Sequence, residues 1–405
     1  MGIIGGILIV LFLGNFLWWW RADRVLRRLR GSLPWRLALG VFMAAQALGL
    51  GLVLLDRRFD LGLDGLLAGP WLTGVYLWHC LLLFPILLLW TPYALARGVV
   101  TAVRRFLVKR DAPPVASGPH PLTRRDFARL LGTALPALAT VGAGAIALWQ
   151  IERFRIRRLT VELPALPAEL DGLTIAHVTD FHVGHFTRGA VLDRIVAATN
   201  DLGADLVVFT GDLINFALSD LDAGLAVLRR LRGAHGVFLC EGNHDLFADA
   251  DAFRQRTKAA GLSLLVNETA NLTIRGRAVQ ILGLRWGAAD HHAHDPASRG
   301  DAAIAGSMRG LLTQLQPGAF PVLLAHHPHA FDYAENIPLT FAGHTHGGQL
   351  MATANVGFGP MLYRYWSGLY RLGQRALIVS NGTGNWFPLR TRAPAEIIHL
   401  TLRRG

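Results

Sequence analysis

Charge is scarce in this sequence and cysteine nearly absent. Only 17% of the 405 residues are Asp, Glu, Lys or Arg, and two cysteines, Cys80 in an apolar run and Cys240 in an expected strand, make no disulfide framework. That excludes a small disulfide-stapled fold and leaves the compartment open. With 52% apolar residues and a mean hydropathy of +0.34, the low charge argues against purely soluble domains and for membrane-embedded sequence. Acidic residues are the scarcer sign, 28 against 40 Lys and Arg, for a formal charge of +12. The surplus is uneven: residues 1–150 hold 16 basic and 6 acidic side chains, and residues 151–405 hold 24 and 22. A nucleic-acid-binding domain would carry a basic stripe on its folded part. No nucleic-acid partner is therefore expected, and the arginines are read first as a topology signal. Histidine has the opposite bias, with 14 of 16 after residue 150, which suggests metal or acid–base chemistry there.

Four stretches lack Asp, Glu, Lys and Arg altogether: residues 2–20, 37–55, 65–96 and 130–151. Each reaches or approaches the roughly 20 residues that carry a helix across about 30 Å of hydrocarbon. They show almost none of the polar face a soluble bundle needs, so four spanning helices are expected in a multi-pass membrane domain over residues 1–155. Lys and Arg near helix ends stay on the cytoplasmic side. The first loop carries Arg21, Arg24, Arg27, Arg28, Arg30 and Arg36, and the third carries Arg97, Arg104, Arg105, Lys109, Arg110, Arg124, Arg125 and Arg129. The second has only Arg57 and Arg58, offset by Asp56, Asp60 and Asp64. Loops one and three are read as inside, and the chain after about residue 152 as outside. Arg153, Arg155, Arg157 and Arg158 pull against this, but folded domains translocate largely regardless of charge. Before the last apolar run stands Thr123-Arg124-Arg125-Asp126-Phe127-Ala128-Arg129. It resembles a twin-arginine export signal and implies a twin-arginine translocase as a partner besides the lipid bilayer. No charged residue lies inside the first three runs, so no transporter pathway is expected. His79 is read as an interhelical hydrogen-bond partner.

After residue 160 the pattern changes to short apolar runs ending in polar, Gly-rich turns. Strands are expected at 173–178, 206–210, 237–240, 279–284, 322–325, 339–342, 377–380 and 397–402, with helices at 188–202, 221–231 and 250–260. Strands alternating with helices suggest an α/β domain whose functional groups gather at the carboxyl ends of strands. Those ends carry the unusual residues: Thr179-Asp180-Phe181-His182, Gly211-Asp212, Glu241-Gly242-Asn243-His244-Asp245, Ala325-His326-His327-Pro328 and Gly343-His344-Thr345-His346-Gly347-Gly348. Carboxylates and imidazoles without cysteine suit divalent transition metals better than calcium or structural zinc. Asp180 with His182, and His344 with His346, are two residues apart, so an extended backbone aims both members at one centre.

The five ordered blocks, D-x-H, G-D, G-N-H-D, a later His and G-H-x-H, resemble the calcineurin-like metallophosphoesterase superfamily, in its exported or membrane-anchored bacterial branch, over residues 156–405. The four-helix front end departs from the single export signal of that branch. The resemblance implies a two-sheet sandwich flanked by helices in four αββα layers, and two divalent ions (Mn, Zn, Fe or Mg). One would be held by Asp180, His182, Asp212 and His346, the other by Asp212, Asn243, His326 and His344, with Asp212 bridging. Two such ions polarise phosphoryl oxygens and lower the pKa of water. His244 would protonate the leaving oxygen or stabilise its charge, with Asp245 orienting its ring.

The remaining candidates have blander readings. His327 could replace His326 as a ligand, though strand alternation and the family pattern favour His326. His177 is read as core and His235 as solvent-facing, and His185 is left open between lining the phosphate site and not. His291, His292 and His294 fall in an Asp/Ala-rich stretch, 288–301, read as a surface loop. For Arg390 a phosphate contact and an ion pair with Glu396 stand equal. Trp286, Trp366 and Trp386 are candidates for an apolar rim, with core packing the simpler reading of each. The function expected is dinuclear-metal hydrolysis of a phosphoester substrate at the outer face of a bacterial cytoplasmic membrane, a lipid-linked ester being one hypothesis. The alternative is a membrane sensor or assembly factor that keeps the metal fold.

Overall fold

The computed structural model describes residues 3–28, 32–59, 70–107, 123–286 and 296–405. Two compact units divide it, Met1–Leu148 and Trp149–Gly405. The first is helical: α1 (Ile3–Leu26), α2 (Leu33–Phe59), α3 (Pro70–Tyr76), a π-helical stretch Leu77–Leu83 leading into α4 (Phe84–Leu107), and α5 (Arg124–Gln150). Among the described residues three segments are long and apolar enough to cross a bilayer, Leu33–Leu55, Pro70–Arg104 and Leu130–Gln150. The helices outrun the apolar runs. Arginine and leucine are good helix formers, so α1 continues past Trp20 into the first basic loop, where Asp23 pairs with both Arg27 and Arg36 at 2.6 Å. For the same reason Arg124 and Arg125 lie in the first turn of α5 rather than ahead of it, with the Phe127 N–H donating to the Thr123 carbonyl. His79 meets another helix as expected: its Nε2 is 2.8 Å from Asn15 Nδ2, and Trp78 Nε1 donates to Asn15 Oδ1 at 2.7 Å. Cys80 and Cys240 are both free.

The second unit holds two six-stranded sheets. One is β1 (Arg155–Leu163), β12 (Glu396–Arg404), β2 (Thr174–Val178), β3 (Leu206–Thr210), β4 (Val237–Cys240) and β5 (Ser263–Leu264), in that spatial order. The other runs β10 (Gly368–Leu372), β11 (Arg375–Val379), β9 (Leu339–Ala342), β8 (Phe320–Leu324), β7 (Arg277–Gly283) and β6 (Glu268–Ile274). Strands β2 to β5 are parallel, as are β7, β8, β9 and β11. Ile175, Val208 and Phe238 of one sheet meet Ile281, Val322 and Phe341 of the other in a buried apolar layer. Three helices, α6 (Ala190–Asn200), α7 (Leu221–Leu228) and α8 (Ala250–Ala259), cover the outer face of the first sheet through Ile195, Leu225 and Phe253. The second sheet is covered by α9 (Pro296–Leu312) through Ile304, Met308 and Leu311. This is the four-layer αββα arrangement. Covering on both sides explains why β3 is buried at every position and reads as an unbroken apolar run.

Four strands were not expected, β1, β5, β6 and β10. Strand β1, with three arginines, gains its identity from parallel pairing with β12, from Arg155 opposite Glu396 to Leu163 opposite Arg404. Residues 296–301 are the first turns of α9 rather than loop. The rest of that expected loop, with His291, His292 and His294, lies outside the described residues.

Candidate metal centre

Every candidate ligand follows the end of a strand by two to four positions: β2 leads to Asp180 and His182, β3 to Asp212, β4 to Asn243, β8 to His326, and β9 to His344 and His346. At five of these the chain turns into the left-handed region, with φ of 53° at Asp180, 46° at His182, 58° at Asp212, 70° at His344 and 49° at His346. Non-glycine residues avoid this region at a cost of about 1–3 kcal/mol each, and such strain collects where function needs it. Two glycines make room. A Cβ on Gly343 would overlap the Asp180 carboxylate and Thr179 Oγ1, and one on Gly242 would overlap the Asp212 carboxylate.

The strand ends bring the side chains together in two groups. In the first, His346 Nε2 lies 3.2 Å from Asp180 Oδ1 and 2.9 Å from His182 Nε2. Two ring nitrogens this close either share a proton or are joined by a cation. In the second, His326 Nε2 lies 3.1 Å from Asp212 Oδ2, and His344 Nδ1 lies 3.0 Å from Asn243 Oδ1. Asp212 also stands 3.5 Å from His182 Nε2, so one carboxylate faces both groups. Asp180, His182 and His346 offer ligand atoms within 4.8 Å of one another, as do Asp212, His326 and His344. His326 shows the fit most clearly. Its Nδ1 is 2.6 Å from the Thr210 carbonyl, so Nδ1 carries the proton, and the buried Nε2 is left with no hydrogen-bond partner. An oxygen and nitrogen donor set with a fixed tautomer and an aimed lone pair fits divalent metals.

Electrostatics agree. Burial lowers the pKa values of His182, His344 and His346, favouring the neutral ring that binds metal. Burial works against ionised Asp180 and Asp212, but the histidines around them, led by His346 and His326 respectively, hold both carboxyls well below their usual range. His326 is the exception: burial opposes its charge, yet the Asp212 carboxylate carries it up to about 9, so Nε2 must give up a proton before it can serve as a ligand.

Two roles differ from expectation. Asp245 does not orient the His244 ring: His244 Nδ1 donates to the Asn215 carbonyl at 2.6 Å. The Asp245 carboxylate instead accepts four backbone N–H groups, from Asp212 and Gly242 at 2.9 Å each, Leu213 at 2.7 Å and Ile214 at 3.2 Å. It therefore braces the turn after β3 against the turn after β4. Burial and the Asp212 charge push its pKa up to about 8 while backbone donors pull down; with four N–H groups aimed at it, the carboxylate is the form that fits. Arg390 is outside the lining of the cleft over the site and does not pair with Glu396, whose carboxylate is taken by Arg155 at 2.7 Å and Arg157 at 3.5 Å. It is buried, donating to the carbonyls of Gly384, Asn381 and Ala393 and to Asn385 Oδ1, with Nη2 3.0 Å from His346 Nδ1. Its place is to support His346.

His327 belongs to neither group of ligand atoms: its Nδ1 is 3.1 Å from His329 Nδ1, and its ring packs 5.0 Å from that of His344. His177 is buried against Thr210 Oγ1 at 2.8 Å, and His235 is half-buried. His185 is half-buried and does not line the cleft over the site. That cleft, of about 470 Å³, is lined by Asp212, His244, His344 and His346 at its floor and by Phe216, Phe247, Phe358, Leu362, Tyr363 and Trp386 above. Of the three tryptophans only Trp386 is at the rim. Trp286 packs 5.4 Å from the His326 ring and 5.1 Å from that of His344, and Trp366 lies against Tyr370. The aromatics Phe216, Phe247 and Phe358 were not singled out from sequence. Phe216 and Phe247 flank a motif block, the one signal that could have found them.

The chain is similar in sequence to known proteins. A transmembrane protein with a metallophosphoesterase domain from Danio rerio is 30% identical over 60% of this chain and 57% of its own length, so the chain spans less than two thirds of that relative. The uncharacterized metallophosphoesterase YkuE of Bacillus subtilis is 29% identical over 70% of this chain and 98% of that protein. The UDP-2,3-diacylglucosamine pyrophosphatase LpxG of Chlamydia trachomatis is 26% identical over 64% and 94%. Residues 173–348, which contain every candidate ligand, match the family model of the calcineurin-like phosphoesterases, and with these relatives beside it the chain carries a calcineurin-like metallophosphoesterase domain.

Proposed function

We propose that this protein hydrolyses phosphate esters with two divalent ions, one held by Asp180, His182, Asp212 and His346 and the other by Asp212, Asn243, His326 and His344. The observation that carries the reading is the shared carboxylate: Asp212 Oδ2 stands between His326 Nε2 at 3.1 Å and His182 Nε2 at 3.5 Å, one from each group. When bound, two such ions polarise the phosphoryl oxygens and supply a hydroxide nucleophile near neutral pH. The chain itself supplies proton control. With Nδ1–H given to Asn215, His244 presents Nε2 to the cleft. Burial lowers its pKa to about 4, and a phosphate anion arriving beside the ring draws it upward, so protonation is coupled to substrate. From there His244 delivers a proton to the leaving oxygen. Phe216 and Phe247, at 5.1 and 4.7 Å from its ring, limit water on the other side.

The substrate we favour is a lipid-linked phosphoester in the outer leaflet. Support comes from helices able to span a bilayer, a Lys and Arg distribution that favours an outside catalytic unit, and the diacylglucosamine named for LpxG. A fourth span in residues 2–20 and export through the twin-arginine segment belong to the same proposal. The test uses full-length protein in lipid nanodiscs, with bound metal measured by mass spectrometry. Phosphomonoesters, diesters, pyrophosphates and lipid phosphates are assayed with manganese, zinc, iron and magnesium. Asp212→Asn should lose metal and hydrolysis together; two retained metal equivalents with full turnover would sink the reading.

A further inference from the structure

The floor of the cleft is polar and its mouth is not. Of nine large apolar side chains left exposed in the second unit among the described residues, six are Phe247, Val356, Phe358, Met361, Leu362 and Trp386. Phe247, Phe358, Leu362 and Trp386 line the same cleft whose floor presents Asp212, His244, His344 and His346. Val356 and Met361 stand beside them in the segment that ends in α10 (Phe358–Leu362), and Met361 is 73% exposed. This exposure is not fraying. The Phe358 N–H donates to the Leu350 carbonyl at 3.2 Å, and the Ala352 N–H to the Val356 carbonyl at 2.8 Å. Gly359 is pressed so closely on Trp366 that a Cβ there would come within 2.6 Å of the indole ring. The backbone is thus fastened down while bulky apolar side chains point outward. Contiguous exposed apolar surface next to a catalytic floor marks a binding surface.

We propose that this rim receives the hydrocarbon part of an amphiphilic phosphoester, which lies along Phe358, Leu362, Phe247 and Trp386 while the phosphoryl group reaches the floor. The inference rests on the hydrolase reading for the phosphoryl end and adds the residues that select the other end. Continuity between rim and floor identifies the occupant: one molecule must carry a phosphoester and a hydrocarbon chain.

The test is calorimetric binding of n-alkylphosphonates, from methyl to hexyl, to the manganese-loaded full-length protein in nanodiscs. Their P–C bond survives whether or not the enzyme turns over. Affinity should rise two- to fourfold with each methylene, the upper figure being full burial of a CH2 group at about 0.8 kcal/mol. The double variant Phe358→Ser/Leu362→Ser should bind methylphosphonate like the wild type and lose the chain-length slope. Leu372→Ser, exposed but outside the cleft lining, should keep it. A flat series in the wild type, a slope that survives the double variant, or no binding at all would overturn the proposal. Chain-dependent binding without hydrolysis of any phosphate ester would uphold the rim and remove the hydrolase reading instead.

Discussion

Replacing Asp245 by Asn asks whether this carboxylate serves the turns around it or the neighbouring ring. Asp245 Oδ1 accepts from Leu213 and Ile214, and Oδ2 from Asp212 and Gly242. An asparagine has one oxygen and one NH2 group, so whichever way it is turned, two buried backbone N–H groups face another donor. Hydrogen bonds to a charged group contribute about 1.5–3 kcal/mol each, so losing two removes about 3–6 kcal/mol. That is a large part of the margin by which domains are stable. Because one donor is the amide of Asp212, the carboxylate proposed to be shared by both ions shifts as well. Asp245→Asn should therefore melt at a markedly lower temperature and bind less metal. His244→Ala should not: its ring lines the cleft, so water can replace it against the Asn215 carbonyl. That variant should keep its metal and melting temperature while kcat falls by about 10²–10⁴. Melting, metal content and kcat of both variants, measured on full-length protein, separate the two roles. An Asp245→Asn protein that melted with the wild type, held both metals and lost kcat as His244→Ala does would show that Asp245 acts through the ring.

Other predictions follow from the same geometry. Gly343→Ala drives a methyl group into the Asp180 carboxylate, and should cost one metal equivalent before the other; equal loss of both would contradict the two-group arrangement. Burial lowers His177 to about 3, His244 to about 4 and His327 to about 3. Since the unfolded chain then binds more protons, stability of the chelated protein should fall as pH drops from 6.5 towards 4. His326, raised to about 9, is protonated in the folded state throughout and adds little slope below 6.5; its contribution is lost as pH rises from 6.5 through 9. A melting temperature flat between pH 7 and 5 would contradict the buried neutral histidines. A reporter fused at residue 160 should be active outside the cell, and a cytoplasmic signal would overturn both the orientation and the export proposal.

The candidate ligands were legible in the sequence because each is tied to a local pattern, an apolar strand ending in a glycine-rich turn that carries Asp, Asn or His. The choice of His326 over His327 could be argued from strand alternation, since neighbouring residues on an extended chain point opposite ways. The partners of Asp245 could not. Three of the four are the amides of residues 212–214, more than 30 positions away, and backbone amides leave no trace in a side-chain pattern. Arg390 was misread for a related reason: it is satisfied by carbonyls of its own loop, while the carboxylate it was offered, Glu396, belongs to strand pairing with β1. The rim escaped notice because its segment has neither helical nor alternating periodicity.

Sequence alone determined the separation of this protein into an uncharged, arginine-flanked half and a histidine-rich half, because hydrocarbon excludes charge and metals demand particular donor atoms, whatever the fold. It also determined which side chains could be ligands. Only the tertiary structure decided how they are grouped, with strand ends from two sheets bringing Asp212 between two groups of histidines. The same packing turned Asp245 into a brace and assembled an apolar mouth from residues as far apart as Phe247 and Trp386. Such relations depend on distance in space between groups remote in the chain.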